Sequence, residues 1–347
     1  MPMVQFKILE NIPQATIVHH VESDGTVWAT GGRKILRKMG KGWEEISKFP
    51  FAFPRDLFAF SRPTARVFRA DKCNLYRNRY GGLLGIRAGS VYRIESDGAH
   101  KLFKINGDCV LHGSLCEDEQ GNIYFGEYFM NPKRQPAFIW QVSYDLHAWH
   151  SAAKLEGIRH IHGIYPDPYN IGTFWVTVGD YNGECFFLKT TDDFRTFEKL
   201  GDGSQAWRAV RLFFTQDHIC WLTDSNIEQN TACRMNRKNG RLEIGQTLDA
   251  SAWYGCQTSE GCYLAFTTIE RGPAIQTNTS SVLFSQDAFH WHKIYGFKKD
   301  SWKPIKLFKY GVIICPSGEM SVQELYLSGE GLIGLDGISI KASISFF

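Results

Sequence analysis

The segment GIRHIHGIYPDPYNIGTFWVTVGD, residues 157–180, concentrates side chains suited to acid–base or metal chemistry. His160 and His162 stand one residue apart near its start, and Asp180 stands at its end. Imidazole exchanges protons near neutral pH and binds divalent metals, and a carboxylate can orient it. A turn and an apolar run of strand-forming residues lie between them. We therefore expect two neighbouring strands that bring the three groups together.

Polar and aromatic side chains recur at corresponding places in neighbouring segments. An arginine can bind a uronate carboxylate bidentately, two carboxylates can serve as acid and base on a glycosidic bond, and aromatic rings can stack on sugars. The catalytic candidates are His162, His112, Asp180, Asp224 and Glu270. The substrate-binding candidates are Arg208, Gln205, Trp207, Trp253, Tyr254, Glu127 and His160.

The histidines also allow a metal-dependent reaction. A divalent metal can acidify the carbon next to a uronate carboxylate, and its candidate ligands are His112, His160 and His162. The metal stays open among Mn, Ca and Zn. Structural roles stay open as well, because a carboxylate after a strand can cap its turn and residues 205–208 can pin neighbouring sheets.

The elements that must position these groups repeat about every 47 residues. The segments SYDLHAW (143–149), TDDFRTF (191–197) and SQDAFHW (285–291) share Ser or Thr, any residue, Asp, three residues and an aromatic. Their aspartates, Asp145, Asp193 and Asp287, are 48 and 94 residues apart, close to one and two intervals. Further turns near this spacing lie at 39–46, 95–103, 236–244 and 334–340.

Each repeat contains four short strand patterns separated by polar turns, and the turns named above, including 334–340, are expected between the third and the fourth strand. Four strands per unit of this length predict a β-propeller blade, so we expect an all-β, seven-bladed propeller of four-stranded antiparallel blades, with six blades as the alternative. The propeller is expected to form a single domain over residues 1–347. Residues 3–9 should supply an outer strand that closes the last blade. First strands begin, and second strands end, on one face, so the candidate groups should surround one channel mouth.

Composition excludes several other classes of protein. The 347 residues carry a net charge of +3 without a Lys/Arg run, which argues against nucleic-acid binding. Nine cysteines without a CxxC pair favour buried, reduced thiols. No signal peptide and no apolar run of the ~18 residues that a membrane span needs is visible. These features predict a cytoplasmic protein.

Two sets of segments resemble known families. The Ser/Thr-x-Asp turns resemble the Asp-boxes, or BNR repeats, of the sialidase-like propellers, where they staple the turn between third and fourth strands. The aromatic residue comes one position early in these copies, although TTDDFRTF (190–197) also fits the longer spacing through Asp192. The aromatic residues Trp149, Phe197 and Trp291 would then be structural. GDGSQAWRAV (201–210) and IHGIYPDPY (161–169) resemble bacterial proteins found among polysaccharide-biosynthesis genes and labelled as glycosyl hydrolases.

These resemblances imply a carbohydrate-active enzyme, a glycoside hydrolase or a polysaccharide lyase, that acts on an acidic oligo- or polysaccharide. In FPRDLF (53–58), Pro54 precedes Arg55, the reverse of the sialidase order, so sialidase activity is not expected. A non-catalytic glycan-binding or assembly propeller and a protein-interaction scaffold are the alternatives. The sugar, its linkage and the oligomeric state stay open.

Overall fold

Short strands dominate the chain and group into seven sheets. The computed structural model describes residues 4–40, 42–301, 305–308 and 310–347. Strand β1, Val4–Ile12, pairs with the end of the chain, and the strands that follow form blades in sequence order. The expected seven-bladed propeller of antiparallel, mostly four-stranded blades is confirmed, and the six-bladed alternative is wrong.

Blades 1 to 4 take up about the first three fifths of the chain. Blade 1 contains β2 Ile17–Val21, β3 Val27–Gly31, β4 Lys34–Met39 and β5 Gly42–Lys48. Blade 2 contains β6 Asn74–Arg77, β7 Leu83–Arg87, β8 Ser90–Glu95 and β9 Gly98–Lys104. Blade 3 contains β10 Cys116–Glu117, β11 Ile123–Gly126, β12 Ala137–Val142 and β13 Trp149–Leu155. Blade 4 contains β14 Ile161–Pro166, β15 Phe174–Val178, β16 Cys185–Thr190 and β17 Glu198–Gly203.

Blades 5 to 7 complete the ring. Blade 5 contains β18 Ala209–Phe214, β19 His218–Thr223, β20 Asn230–Asn236 and β21 Leu242–Leu248. Blade 6 contains β22 Ser251–Gln257, β23 Tyr263–Thr268, β24 Thr279–Ser285 and β25 His292–Lys298. Blade 7 contains β26 Val312–Ile314, β28 Leu325–Glu330, β29 Ser339–Phe346 and β1. The short β27, Ser317–Gly318, pairs in parallel with β2.

The two chain ends close the ring. Strand β1 runs antiparallel to β29, with Val4 opposite Phe346, and so forms the outer strand of blade 7 as predicted. Met3 lies outside the described residues. The turn at 334–340 joins β28 to β29, the second and third strands, so its prediction as a third-to-fourth-strand turn is wrong. The reason is that the fourth strand of this blade comes from the other end of the chain.

Side-chain hydrogen bonds hold the recurring aspartate turns between third and fourth strands. In blade 3 the Ser143 hydroxyl donates to Asp145 over 2.6 Å. In blade 4 the Thr190 hydroxyl donates over 2.9 Å to Asp192, and not to Asp193, the residue that the interval selects. The copy in blade 6 repeats the pattern. These turns are structural, as the sequence suggests.

Aromatic contacts join neighbouring blades. Trp149 stacks on Phe103 of blade 2 with ring centroids 5.5 Å apart, and the buried Trp291 packs on Phe213 of blade 5 at 5.4 Å. Phe197 packs against the core cluster between blades 3 and 4. All nine cysteines are free thiols, and eight of them are buried.

Two helical connections lie on the face where first strands begin. Between blades 1 and 2 stand a 3-10 turn, Arg55–Phe58, and helix α1, Arg62–Phe68. Between blades 6 and 7 stands helix α2, Ile305–Phe308, which packs against α1. Among the described residues, no helix has the length and apolar character that a membrane crossing requires.

Candidate functional site at the channel mouth

Two neighbouring strands of blade 4 bring the residues of the opening segment together. His160 directly precedes β14, and His162 is its second residue, where the pairing with β15 shifts register between Ile161 and Gly163. Both rings point to the same side of the strand. Asp180 follows β15 after Gly179, whose φ is +96°. A Cβ at Gly179 would lie 1.9 Å from the carbonyl oxygen of Glu184, so only glycine fits the turn that places Asp180.

The three side chains meet at contact distance. The Nε2 atoms of His160 and His162 are 3.1 Å apart. His162 Nε2 lies 3.1 Å from Asp180 Oδ1, and His160 Nε2 lies 3.3 Å from Asp180 Oδ2. All three residues are buried. The structure therefore assembles the group that the spacing of the sequence predicts.

Backbone carbonyls fix the orientation of both rings. His160 Nδ1 lies 3.0 Å from the carbonyl oxygen of Phe129, and His162 Nδ1 lies 3.1 Å from that of Ala209. A carbonyl oxygen only accepts hydrogen bonds, so both Nδ1 atoms carry hydrogen and donate. Both Nε2 atoms are thereby directed at Asp180.

Two arginines flank the Asp180 carboxylate. Arg159 Nε lies 3.1 Å from Oδ2, and Arg208 Nη2 lies 3.4 Å from Oδ1. Burial alone would raise the pKa of Asp180, but the contacts with His160 and His162 lower it well below its ordinary range. Asp180 is therefore an ionised carboxylate surrounded by donors, and not a general acid at neutral pH.

A 3-10 turn, Gln205–Trp207, positions the next two polar side chains at the mouth, Gln205 and Arg208. Arg208 Nη1 donates to the carbonyl oxygen of Asp180 over 3.0 Å and to Asn226 Oδ1 over 3.2 Å. The amide of Gln205 donates through Nε2 to the same carbonyl over 3.2 Å. Its Oε1 accepts a hydrogen bond from the Ser225 hydroxyl over 2.8 Å. Both side chains thus bind other protein groups at the mouth.

Asp224 and Glu270 continue the ring of carboxylates. The Trp253 indole donates to Asp224, whose Oδ2 lies 3.5 Å from Arg208 Nε, and Ser251 donates to Glu270 over 2.6 Å. Burial raises the pKa of Asp224 to about 7, with Arg208 opposing the shift and Glu270 adding to it. Burial also raises the pKa of Glu270. This pair shares a desolvated environment in which holding two negative charges is unfavourable.

Three residues that lie at the mouth were not among the candidates selected from the sequence. Arg159 binds Asp180, Tyr128 packs on His160 with ring centroids 4.2 Å apart, and Tyr310 meets Trp253 at 4.8 Å. Burial raises the pKa of both tyrosines. Tyr128 stands two residues after the end of β11, the second strand of blade 3, and Tyr310 stands two residues before β26, the first strand of blade 7. The rule used on blades 3 to 6 would have found Tyr310 in the seventh.

His112 and Tyr254 lie deeper in the channel. Their rings are 5.6 Å apart, and His112 also contacts His19 at 5.8 Å. Burial and, to a smaller extent, Lys72 lower the pKa of His112 to about 3. Both residues line a cavity of about 460 Å³ formed by the far ends of the first strands. His112 is not part of the His160, His162 and Asp180 group, whose ligand atoms lie within 4.8 Å of one another.

Two candidates are placed in structural positions instead of the mouth. The buried Glu127 carboxylate accepts from the backbone N–H and the amide of Asn106 over 2.9 and 3.0 Å, and from Phe138 and Trp140 over 3.2 Å each. It is thus saturated by its own blade and the neighbouring loop. Trp207 is buried against Trp221 at 5.5 Å, in the core between blades 4 and 5. Its ring cannot stack on a sugar without leaving this core.

Comparisons with known proteins show the fold alone. No family model matches the sequence, and no curated protein matches it significantly. Among solved structures, the extracellular domain of BT4673 from B. thetaiotaomicron matches 98% of this chain with 12% identity and a TM-score of 0.54. The chain spans only about two fifths (40%) of that protein's length. The WD40 propeller of Doa1 matches with 9% identity, 97% coverage of each chain and a TM-score of 0.55. YCF48 bound to D1 peptide matches with 9% identity, coverage of 98% of this chain and 96% of that one, and a TM-score of 0.52.

Proposed function

We propose that residues 1–347 form a non-catalytic binding propeller that docks a partner protein through the connection between blades 1 and 2. One observation carries this proposal. Phe51, Phe53, Leu57 and Phe60 expose 54%, 78%, 54% and 79% of their surface within ten residues of sequence. Large apolar patches exposed on a folded surface mark sites of protein interaction. The partner is therefore a protein that presents an apolar surface of its own.

The apolar segment is held rigidly by ion pairs. Asp56 binds Arg87, and both side chains are almost fully buried. Arg55 Nη2 lies 2.5 Å from Asp108 Oδ2 in the connection between blades 2 and 3. The phenyl rings are therefore displayed from a fixed backbone, which lowers the conformational entropy lost on docking.

The paired state of the mouth favours binding over acidic-glycan chemistry. A uronate needs a free cation, yet Arg208 already binds Asp180 and Asp224, and Arg159 binds Asp180. Among the similar folds, the YCF48 structure contains a bound D1 peptide. The same architecture can thus present a peptide-binding face.

The proposal is tested with the double variant Phe53→Ser/Phe60→Ser. A photo-crosslinking residue at position 57 identifies the partner, and the purified partner is then titrated against each variant. Burying two such side chains contributes about 2 to 4 kcal/mol in total, so the double variant should weaken binding about 30-fold or more. Ile171 is 77% exposed in the loop between β14 and β15, on the opposite face, and Ile171→Ser is the matched control.

The results separate the possible outcomes clearly. Loss of affinity in the double variant with wild-type affinity in Ile171→Ser supports docking on this segment. Equal affinities for wild type and the double variant would overturn it. Unchanged melting temperatures should accompany both variants, because the substituted side chains are exposed.

A second candidate function is a hydrolase or lyase acting on an acidic glycan. The observation that favours it is the pair Asp224 and Glu270, two buried carboxyl groups with raised pKa values beside Trp253. A carboxyl group with a pKa near 7 suits a general acid. Incubation with uronate-containing oligosaccharides should then give new reducing ends, or an ultraviolet-absorbing unsaturated product, that Asp224→Asn abolishes. Absence of product over a panel of such substrates would exclude it.

A further inference from the structure

The hydrogen-bond pattern around His160 and His162 directs two ring nitrogens at one carboxylate. Both Nδ1 atoms donate to backbone carbonyls, so the Nε2 atoms are the ring nitrogens left to face Asp180. The two Nε2 atoms lie 3.1 Å apart, and each lies within 3.3 Å of an oxygen of Asp180. Two imidazole nitrogens and a carboxylate that converge in a buried position form a donor set that suits a divalent cation.

We propose that His160, His162 and Asp180 bind a divalent first-row transition metal, with zinc as the preferred ion. The proposal goes beyond partner docking, since the site lies at the mouth and uses none of the exposed phenyl rings. Histidines that ligate a metal usually donate their other ring N–H to a carbonyl or carboxylate, as both rings do here.

The spacing of the donor atoms fits a tetrahedral ion. Zinc–nitrogen bonds of about 2.0–2.1 Å place neighbouring ligand atoms of a tetrahedron about 3.3 Å apart. The two Nε2 atoms are 3.1 Å apart, His162 Nε2 lies 3.1 Å from Asp180 Oδ1, and His160 Nε2 lies 3.3 Å from Asp180 Oδ2. With one ligand atom taken from each residue, the three atoms lie within 4.8 Å of one another. Three protein ligands leave a fourth position for water. Calcium prefers six to eight oxygen ligands, so the two nitrogen donors argue against it.

The surrounding charges are compatible with an added cation. Arg159 and Arg208 use outer lone pairs of Asp180, and a carboxylate has about four such sites. The phenol of Tyr128 packs over His160 and excludes water from one side of the site.

Zinc binding to the purified full chain tests the proposal. Protein stripped with a chelator is titrated with zinc chloride against a chromophoric competitor, and bound metal is counted by elemental analysis. We expect one zinc ion per chain, and at least about a 100-fold loss of affinity in Asp180→Asn and His160→Gln. The exposed group Glu95, Asp97 and His100 offers a matched control, because its ligand atoms also lie within 4.8 Å of one another. His100→Gln should leave the stoichiometry and affinity unchanged.

A measurement on the wild type covers the case in which buried variants fail to fold. Cobalt(II) added to the stripped protein should give the visible absorption of a tetrahedral site, and zinc should displace it. Failure of the stripped wild type to take up zinc or cobalt would overturn the proposal and leave a histidine–aspartate–arginine ion-pair network. Loss of binding in His100→Gln with retention in Asp180→Asn would overturn it as well.

Discussion

Replacing Arg208 by methionine should destabilise the fold strongly. Arg208 is buried, and its guanidinium is the cation between Asp180 and Asp224. Burial would lower the pKa of Arg208, but the carboxylates of Asp224 and Asp180 raise it, so the charge is held firmly. Removing one partner of a buried ion pair costs about 3 to 5 kcal/mol, because the other charge is left uncompensated. We expect Arg208→Met to lose about that much free energy of unfolding near pH 7.5.

Denaturant unfolding measures this loss as a shift in midpoint at constant slope. The double variant Arg208→Met/Asp224→Asn should recover a large part of the loss, because it removes the stranded carboxylate as well. Arg211 lies on β18, which begins directly after Arg208. It contacts the Gly113 carbonyl and aromatic rings, and among the described residues it forms no ion pair with a carboxylate. Arg211→Met is therefore the matched control and should cost less than about 1 kcal/mol. An equal cost for both arginines, or no recovery in the double variant, would refute the reasoning.

Three further variants test other parts of the structure. Asp224→Asn should change the pH dependence of stability: the folded pKa of about 7 lies above the ordinary 3.8, so the stabilising contribution is complete below about pH 4 and is lost as the pH rises through 7. Between pH 5 and pH 8, the free energy of unfolding of the wild type should therefore fall relative to that of Asp224→Asn, as measured by denaturant unfolding at both pH values. Trp207→Ala should cost about 3 to 5 kcal/mol while zinc affinity stays unchanged, because Trp207 is a core residue. Asp56→Asn leaves Arg87 buried without its countercharge, and limited proteolysis should then cut residues 49–61 faster than the blades.

The blade architecture could be predicted because its signal is repeated. Each repeat carries the same apolar strands and the same aspartate turn, so an error in one copy is corrected by the others. The turn at 334–340 was misassigned because blade 7 takes β1 from the other end of the chain, and local spacing does not show that partner. The choice between Asp192 and Asp193 depended on which carboxylate accepts from Thr190. The sequence fits the motif with either aspartate and leaves both open, since TTDDFRTF (190–197) also matches the longer spacing through Asp192.

The site could be predicted only where its residues stand at the start or the end of a strand. The two-residue spacing brings His160 and His162 together at the irregular start of β14, and the end of β15 places Asp180 beside them. Trp207 does not face the mouth as its position before a first strand predicts, because it belongs to a 3-10 turn and its ring lies between the blades. His112 also does not lie at the mouth. The strand β10 has only two residues, so the connection before it lines the channel, and His112 lies deeper, in the wall of the cavity.

A polar channel mouth does not by itself indicate catalysis. In any propeller the first-strand starts and second-strand ends converge on one mouth, so polar residues at those positions must pair with one another or with a ligand. Here most of them pair with one another, as Arg208 does with Asp180 and Asp224. The Nε2 atoms of His160 and His162 converge on the Asp180 carboxylate, and this donor set suits a divalent cation better than a sugar. If Asp180→Asn loses zinc but keeps the partner while Phe53→Ser/Phe60→Ser does the reverse, the mouth and the apolar segment are separate sites with separate tasks.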